Sequence, residues 1–325
     1  MKVLVIKTSS LGDIVHGLRV ITSLREQVPG VQVTWVAQEP FAPLVQICAA
    51  VDRTIIFRRR NLLRGMSAVL RELKTLEFDA VIDMQGRFLT GLMAARARAR
   101  RRIGRTDCRE GSGLFYNERV PLPAAGRRSH ALDILLEFCG AFGAEVELRG
   151  PPVFRAPGQL MKDLAGLPRD RKAVVMFPDS RREEKCWGGF GELTKMVLRE
   201  NPGCSVVWAG DRLLPFPGGA AFPGRFFNVT GRSKLTDLPA LLRQASWVIS
   251  NDSGPMHLAA ALEVKVLGVF GPTDVTLYGP YPPGRPTNLA VCAPGGNLRL
   301  LGPKEVLYLL KKADPAVFGM RQISS

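Results

Sequence analysis

A turn between an apolar strand and a helix carries side chains that suit the binding of a phosphate group. The apolar run that starts at Trp247 ends at Ser250, and the polar residues Asn251-Asp252-Ser253-Gly254 follow it. A proline and a run of apolar residues then predict a helix over 256–262. Free backbone N–H groups and the dipole at the start of such a helix favour a phosphate or diphosphate. His257 adds an imidazole, although simple capping of the helix by Asp252 or Ser253 explains these residues equally well.

A second candidate turn lies near the N-terminus, in Lys7-Thr-Ser-Ser-Leu-Gly-Asp-Ile-Val-His16. It matches neither the G-x-G-x-x-G pattern nor the Walker A pattern, which disfavours a nicotinamide dehydrogenase and a P-loop kinase. Asp13 is placed either to cap a helix or to act as a general base, because a carboxylate at a helix N-terminus stays ionised.

Three more turns follow predicted strands in the second half of the chain. In the turn over 177–187, Ser180 and Lys185 could hold and neutralise a diphosphate, although its mixed charges also fit a solvated loop. The weaker turns are Trp208-Ala-Gly-Asp211 and Gly271-Pro-Thr-Asp274. Ligands of open α/β sheets bind beyond the carboxyl ends of the strands, so a nucleotide-type ligand is expected mainly in this half.

Strand and helix patterns alternate along both halves of the chain, which predicts two doubly wound α/β domains with parallel sheets facing across a cleft. A Pro- and Gly-rich stretch over 149–171 predicts a linker with one short helix, and the domains are placed at 1–155 and 156–325. Strands are predicted at 2–7, 31–37, 54–57, 80–83, 173–177, 205–209, 247–250 and 264–270. Helices are predicted at 13–28, 41–50, 62–76, 129–142, 190–199, 237–244, 256–262 and 303–312, with a loop at 213–225.

The formal net charge of +16 is distributed unevenly. Between Arg53 and Arg109 there are fifteen Lys and Arg residues against five Asp and Glu residues, a net charge of +10. The densest runs are Arg58-Arg59-Arg60 with Arg64, and Arg96 to Arg105. Such a surface favours nucleic acid, an anionic membrane or a phosphorylated substrate, although many basic surfaces only keep a protein soluble. Few aromatic residues interleave the runs and no nucleic-acid-binding motif is present, which argues against nucleic acid.

Several further properties exclude whole classes of protein. Six scattered cysteines without a C-x-x-C pair, and only three histidines, argue against a zinc site and a disulfide framework. No apolar run approaches the roughly 20 residues that cross a bilayer. The first residues are typical of a strand rather than a signal peptide, so a cytoplasmic protein is expected.

Taken together, these motifs resemble glycosyltransferase family 9, the bacterial ADP-heptose:lipopolysaccharide heptosyltransferases. The resemblance spans nearly the whole chain, and the first half looks most like members that add the first heptose to the Kdo residues of lipid A. It implies a GT-B fold of two Rossmann-like domains, and an inverting, metal-independent transfer by a cytoplasmic monomer bound peripherally to the inner membrane. The motifs that carry it, in order, are the N-terminal turn, Phe78-Asp-Ala-Val-Ile-Asp-Met-Gln-Gly86, Leu114-Phe-Tyr-Asn117, Asp252-Ser-Gly-Pro-Met-His-Leu258 and Gly271-Pro-Thr-Asp274.

The resemblance also implies roles for individual residues. Asp13 would deprotonate the acceptor hydroxyl while ADP leaves from the opposite face. The donor ADP-heptose would be held by Ser180, Lys185, Asp252, Ser253, Gly254 and His257. The anionic Kdo–lipid A acceptor would be held by Ser10, Gly12, Arg58, Arg59, Arg60 and Arg64. No cofactor or metal is expected, and the chain indeed has no Asp-x-Asp pair of the kind that holds a divalent ion.

Some residues depart from the family pattern, which leaves other functions open. The loop after Trp208-Ala-Gly lacks the usual acidic, helix-starting sequence, so a carboxylate that contacts the donor ribose has no counterpart unless Asp211 serves. Pro255 and Gly188-Gly189 also differ from the common residues. One alternative is a glycosyltransferase of this type that uses another nucleotide sugar or acceptor. Another is a non-catalytic protein that binds nucleic acid or another polyanion.

Overall fold

A computed structural model describes residues 1–155 and 172–319 of the chain. The chain divides into two compact units, Met1–Ala156 and Pro157–Ser325. The helix predicted within the linker lies outside the described residues. The predicted boundary between 155 and 156 lies at their edge and stays a prediction.

The first unit alternates strands and helices in chain order. Every strand pair in its six-stranded sheet is parallel. Its elements are β1 (Lys2–Ile6), α1 (Leu11–Gln27), β2 (Gln32–Gln38), α2 (Ala42–Ile47), β3 (Arg53–Phe57), α3 (Leu62–Lys74), β4 (Glu77–Asp83), α4 (Phe88–Arg96), β5 (Arg98–Arg105), β6 (Glu118–Val120) and α5 (Ala131–Gly140).

The strands of this sheet lie in the order β3-β2-β1-β4-β5-β6. In such a doubly wound sheet the connections after β1 and β4 leave toward opposite sides, which opens a crevice at the carboxyl ends of these two strands. The register pairs Ile6 with Asp83, so both strands end at the same level. The core is apolar on both sides of the sheet, and in α3 the buried residues Met66, Val69 and Leu73 recur at helical spacing.

The second unit repeats the same arrangement. Its elements are β7 (Lys172–Phe177), α6 (Phe190–Glu200), β8 (Cys204–Trp208), β9 (Phe226–Asn228), α7 (Leu238–Arg243), β10 (Trp247–Asn251), α8 (Gly254–Ala261), β11 (Val266–Phe270), α9 (Val275–Tyr278), β12 (Asn288–Cys292), α10 (Pro303–Ala313) and α11 (Pro315–Phe318). All its strand pairs are parallel, in the order β12-β11-β10-β7-β8-β9. Its crevice therefore lies between β7 and β10.

The predicted class of two α/β units with doubly wound parallel sheets is confirmed, but some elements differ from prediction. The strands β5, β6, β9 and β12 and the helices α4, α9 and α11 were not predicted, and the loop predicted over 213–225 contains a 3-10 turn at Pro217–Ala221. β5 was mistaken for surface because its arginines hide the alternation of a strand. Among the described residues, no helix is long and apolar enough to cross a membrane.

Candidate active site

Asp13 lies in the first turn of α1, directly beyond the carboxyl end of β1. Its Oδ2 accepts hydrogen bonds from the backbone N–H of Ser10 at 2.9 Å and from the Ser10 hydroxyl at 2.8 Å. Its Oδ1 lies 3.1 Å from Nζ of Lys7, whose side chain is 5% exposed. The Asp13 side chain remains 41% exposed, so it can still meet a substrate.

The charge state of Asp13 follows from these contacts. Burial raises the pKa of the carboxyl, but the Lys7 ammonium and the hydrogen bonds from Ser10 outweigh it and hold the pKa below its usual range. Asp13 is therefore ionised at neutral pH. It caps α1 and is also available as a base, so both sequence interpretations describe part of its role.

The backbone that leads to Asp13 is held from two neighbouring strands. On the β4 side, Oε1 of Gln85 accepts from the N–H groups of Thr8 at 3.2 Å and of Ser9 at 3.3 Å. On the β2 side, the indole N–H of Trp35 donates to the Lys7 carbonyl at 2.9 Å. Because both sides of the turn are anchored, Asp13 has a defined position before any substrate binds.

Gln85 is itself fixed by a buried carboxylate. Oδ1 of Asp83 accepts from the backbone N–H groups of Gln85 at 2.9 Å and of Gly86 at 3.0 Å, and Oδ2 accepts from the Tyr116 hydroxyl at 2.7 Å. Asp83 is fully buried, and this burial raises the pKa of its carboxyl although the hydrogen bonds act in the opposite direction. Asp83 and Gln85 lie in the motif over 78–86 and Tyr116 lies in the motif over 114–117, but the sequence indicates no separate function for any of them.

The residues predicted to bind the acceptor differ in how accessible they are. Ser10 is exposed, whereas Gly12 is buried within α1. Nε of Arg58 pairs with Oε1 of Glu39 at 3.0 Å. Arg59, Arg60 and Arg64 are also exposed, and none of the three forms an ion pair with another residue that the structure describes.

The second basic run, over 96–105, is not the free surface that the sequence suggested. Most of it forms β5, and three of its arginines are neutralised by carboxylates of the same unit. Arg98 pairs with Glu77, Arg101 pairs with Glu118 at 2.7 Å, and Arg105 pairs with Asp107 at 2.6 Å. Three arginines of this run therefore form ion pairs within their own unit, which weakens the expectation that the run binds an anionic partner.

In the second unit, Lys185 and Asp252 meet at the crevice between β7 and β10. Nζ of Lys185 lies 2.5 Å from Oδ2 of Asp252, and the two side chains are 15% and 5% exposed. Lys185 ends a 3-10 turn after β7, and Asp252 directly follows β10. The structure thus joins two predicted residues that are separated by 67 positions.

Asn251 ties these two turns together. Its Oδ1 accepts from the backbone N–H of Trp187 at 3.0 Å, and its Nδ2 donates to the Pro178 carbonyl at 3.0 Å. Asn251 is fully buried, so these hydrogen bonds are not exposed to competing water. The residue fixes the segment that carries Lys185 against the strand that carries Asp252, a role that the sequence analysis missed.

The start of α8 is arranged differently from a simple helix cap. Ser253 is the N-cap residue but makes no side-chain capping hydrogen bond, and its hydroxyl lies 3.0 Å from that of Ser250. Asp252 pairs with Lys185 instead. Gly254 begins the helix, and His257 is buried in its second turn. Capping by Asp252 or Ser253 therefore does not explain this turn.

Ser180 and Asp211 are the remaining predicted residues of this unit. Ser180 is 9% exposed, and its carbonyl accepts from Arg212 at 3.3 Å. Nε of Arg212 also donates to Oδ2 of Asp179 at 2.6 Å, and this ion pair raises the pKa of the guanidinium. Asp211 is exposed. Within the described residues, no three His, Cys, Asp or Glu side chains lie close enough together to hold a metal ion.

Each unit therefore presents a polar site of its own at the carboxyl ends of its strands. The first presents an ionised, half-exposed carboxylate that can accept a proton. The second presents a lysine and a helix start, which together suit a diphosphate. Lys7 and Gln85 were not predicted to support Asp13. A lysine at the end of an apolar strand is a signal that could have identified Lys7.

Comparison with known families places the chain among glycosyl-transferring proteins. The model of glycosyltransferase family 9 (heptosyltransferase) matches residues 66–290. This region covers more than half of the chain and includes the Lys185–Asp252 pair.

Individual relatives extend the match to nearly the full length. Lipopolysaccharide heptosyltransferase 1 of Escherichia coli (strain K12) is 29% identical, covering 95% of this chain and 99% of the relative. The solved structure of E. coli heptosyltransferase WaaC with ADP is 26% identical, with a TM-score of 0.79, and covers 96% of this chain and 100% of that one. The same enzyme with ADP-2-deoxy-2-fluoro heptose is 25% identical, with a TM-score of 0.75, covering 96% and 99%. These similarities confirm the predicted fold class.

Proposed function

The chain belongs to glycosyltransferase family 9, and on that premise we propose that it transfers a heptose from ADP-heptose to the Kdo–lipid A inner core of lipopolysaccharide. Glycosyl transfer itself follows from family membership. The donor and the acceptor are proposed because relatives that match almost the whole chain carry heptosyltransferase names, and one of them was solved with ADP and with an ADP-heptose analogue.

The observation that carries the donor assignment is the position of Lys185 at the crevice of the second sheet, beside the start of α8. A lysine ammonium and the positive end of a helix dipole stabilise the charge that develops on a departing diphosphate. A divalent ion often has this role, and here the ammonium and the dipole take its place. We therefore propose that the reaction requires no metal and no cofactor. Ser180, Ser253, Gly254 and His257 would line the same donor site.

Asp13 is the proposed general base. Its ionised carboxylate takes the proton of the acceptor hydroxyl, the acceptor oxygen forms a bond to the anomeric carbon, and the bond from that carbon to ADP breaks on the opposite side. Such a displacement inverts the configuration at the anomeric carbon. Ser10 and Gly12 lie in the same turn, next to the attacking hydroxyl.

Arg58, Arg59, Arg60 and Arg64 are proposed to contact the acidic groups of the acceptor. All four are exposed and lie beyond the carboxyl end of β3, at the same edge of the sheet as Asp13. Guanidinium groups bind carboxylates and phosphates in a bidentate manner. We propose that the protein acts as a monomer at the cytoplasmic face of the inner membrane, where this acceptor would be presented.

The direct test is release of ADP by the purified full chain, given ADP-heptose and Kdo–lipid A, with and without a chelator. Asp13→Asn keeps the shape of the side chain but cannot accept the proton. We expect at least about a hundredfold loss of turnover with ADP affinity retained, because general base catalysis contributes roughly 10²- to 10⁴-fold. Undiminished turnover by this variant would refute the base assignment, and loss of activity with the chelator would refute metal independence.

A second candidate is transfer from another nucleotide sugar. The turn after β8 favours this second candidate. By the family pattern a carboxylate of this turn would contact the donor ribose, whereas here Arg212 of the turn is ion-paired to Asp179. A panel of ADP-, UDP- and GDP-sugars, scored by the rise in melting temperature, separates the two candidates. Binding is expected to be tightest for ADP-heptose.

A further inference from the structure

Four of the exposed large apolar side chains of the first unit lie in segments that follow the carboxyl ends of its strands, and together they form what we call the leucine edge: Leu62, Leu63, Phe88 and Leu114. The exposed fractions are 84% for Leu63 and 89% for Leu114, against 41% for Leu62 and 48% for Phe88. Apolar side chains that cluster on a surface, rather than occurring singly, indicate an interaction site.

The parallel sheet brings these residues to one edge. The strands β1, β3, β4 and β5 all run in the same direction, so the segments that follow them leave at the same side. Leu63 follows β3, Phe88 follows β4 and Leu114 follows β5. β3 and β5 each lie two strands from β1, roughly 10 Å between strand axes, so the segments that carry Leu63 and Leu114 leave the sheet on either side of the strand that leads to Asp13.

Leu63 and Leu114, the two most exposed residues of the leucine edge, do not take part in the hydrophobic core. In α3 the residues that face the sheet are Met66, Val69 and Leu73, and Leu63 falls outside this stripe. Leu114 lies in the 3-10 turn Ser112–Phe115. In that turn Ser112 is buried and Phe115 packs against Phe88 with ring centroids 5.5 Å apart, while Leu114 points away.

The leucine edge is embedded in positive charge. Arg58, Arg59, Arg60 and Arg64 immediately flank Leu62 and Leu63, and all are exposed. Arg87 and Arg109 are exposed on either side of Phe88 and Leu114. The acidic residues Glu39, Glu110, Asp107 and Asp13 also lie at this edge, and each is ion-paired, to Arg58, Arg87, Arg105 and Lys7 respectively. Apolar side chains within a basic surface are complementary to an anionic bilayer.

We propose that the leucine edge docks the protein onto an anionic phospholipid leaflet, with Leu63 and Leu114 entering the boundary between headgroups and acyl chains. The proposal rests on the proposed function in that it explains how the Asp13 turn reaches an acceptor anchored in a membrane. Arginines alone would hold the protein above the headgroups. The two leucines fix its depth and orientation, so that Asp13 faces the sugar region of the lipid.

The test uses the full chain and vesicles of phosphatidylcholine with about 30 mol% phosphatidylglycerol. Leu63→Ser combined with Leu114→Ser is expected to weaken vesicle binding at least about tenfold per leucine, since burial of a leucine side chain amounts to more than one decade in an equilibrium constant. The salt dependence of binding should stay the same, because the arginines remain. Leu213→Ser, at a leucine of the second unit that is 73% exposed, is the matched control and should bind as the wild type does.

Insertion depth is measured with Leu63→Trp. The four native tryptophans are buried, so the added indole should give a blue-shifted emission that brominated lipids quench. Unchanged vesicle binding of the leucine double variant, or an unquenched indole, overturns the proposal. Concentration-dependent sedimentation that the double variant abolishes would assign the edge to a second copy of the chain instead, and would equally overturn it.

Failure of the proposed function is distinguishable from failure of the docking surface. Turnover with a deacylated, water-soluble acceptor needs no vesicle, so the leucine double variant should keep the wild-type rate there. If the wild type binds vesicles through the leucines but transfers no heptose, the surface stands and the function fails. If transfer proceeds and vesicle binding ignores the leucines, the function stands and the surface fails.

Discussion

Removing the charge of Lys185 should separate its structural from its functional role. In Lys185→Met, Asp252 keeps its negative charge at 5% exposure without the ammonium 2.5 Å away. Breaking a buried pair in this way costs about 3–5 kcal/mol. For a unit of this size each kcal/mol lowers the melting temperature by roughly 2–4 °C, so the expected decrease is about 6–20 °C.

The partner variants define the rest of the experiment. Lys185→Met combined with Asp252→Asn removes both charges, and replacing a whole buried pair is often neutral, so most of the lost stability should return. ADP affinity should not return, because the ammonium that meets the diphosphate is still missing. A charge-assisted hydrogen bond contributes about 1.5–3 kcal/mol, which corresponds to roughly 10- to 150-fold in the dissociation constant. Asp252→Asn alone should lose stability but retain ADP affinity.

Two measurements on the purified variants decide the matter: thermal unfolding followed by circular dichroism, and ADP titration followed by calorimetry. Wild-type ADP affinity in Lys185→Met would show that the lysine is only structural. A double variant as unstable as the single one would show that the unpaired charge of Asp252 is not the cause of the instability. Either result would contradict the two separate roles that are assigned to the Lys185 ammonium.

Three other predictions follow from the first unit. In Lys7→Met the burial of Asp13 is no longer opposed by the ammonium, so the pKa of Asp13 rises. As pH falls, kcat/KM of the variant should therefore decline at a higher pH than kcat/KM of the wild type does. Gln85→Leu leaves two N–H groups of the Asp13 turn without their acceptor and should lower kcat with little change in ADP affinity, whereas Gln85→Glu, which keeps the acceptor oxygen, should retain more of kcat. Gly104→Ala would bring Cβ to 2.0 Å from the Tyr116 ring and should cost about 1–3 kcal/mol in chemical unfolding. Gly203→Ala is the control: nothing lies within 4 Å of the added Cβ, so the free energy of unfolding should not change. An equally unchanged free energy of unfolding in Gly104→Ala would contradict the close packing of Gly104 against Tyr116.

The sequence predicts most of the fold because its long elements carry unambiguous patterns. Residues 3–6 and 247–249 are uninterrupted apolar runs, which are typical of strands covered on both faces. β5 was not predicted because two of its arginines, Arg98 and Arg101, pair with carboxylates on the neighbouring strands β4 and β6, and those partners are distant in sequence. The strands β6 and β9 are three residues long and lie at the ends of their sheets, so they carry too little pattern to recognise.

Parts of the candidate site were predictable for a different reason. Asp13 and Lys185 lie in the segments that follow β1 and β7, Asp252 directly follows β10, and the carboxyl ends of strands are where α/β sheets bind ligands. The pairing of Lys185 with Asp252 was not predictable from local patterns, since it depends on the order of β7 and β10 in the sheet. Asn251 and Gln85 were missed because amides that organise backbone leave no periodic signal in a sequence.

The two crevices contain the same ion pair with its polarity reversed. In the first, a lysine that is 5% exposed lies behind an aspartate that is 41% exposed; in the second, an aspartate that is 5% exposed lies behind a lysine that is 15% exposed. The crevice at the carboxyl ends of the central strands thus presents a carboxylate in the first unit and an ammonium in the second. Each pair is built from segments of its own unit, so substitutions around one pair can accumulate without altering the other. On the proposed function, a change of acceptor would then leave the proposed nucleotide site intact.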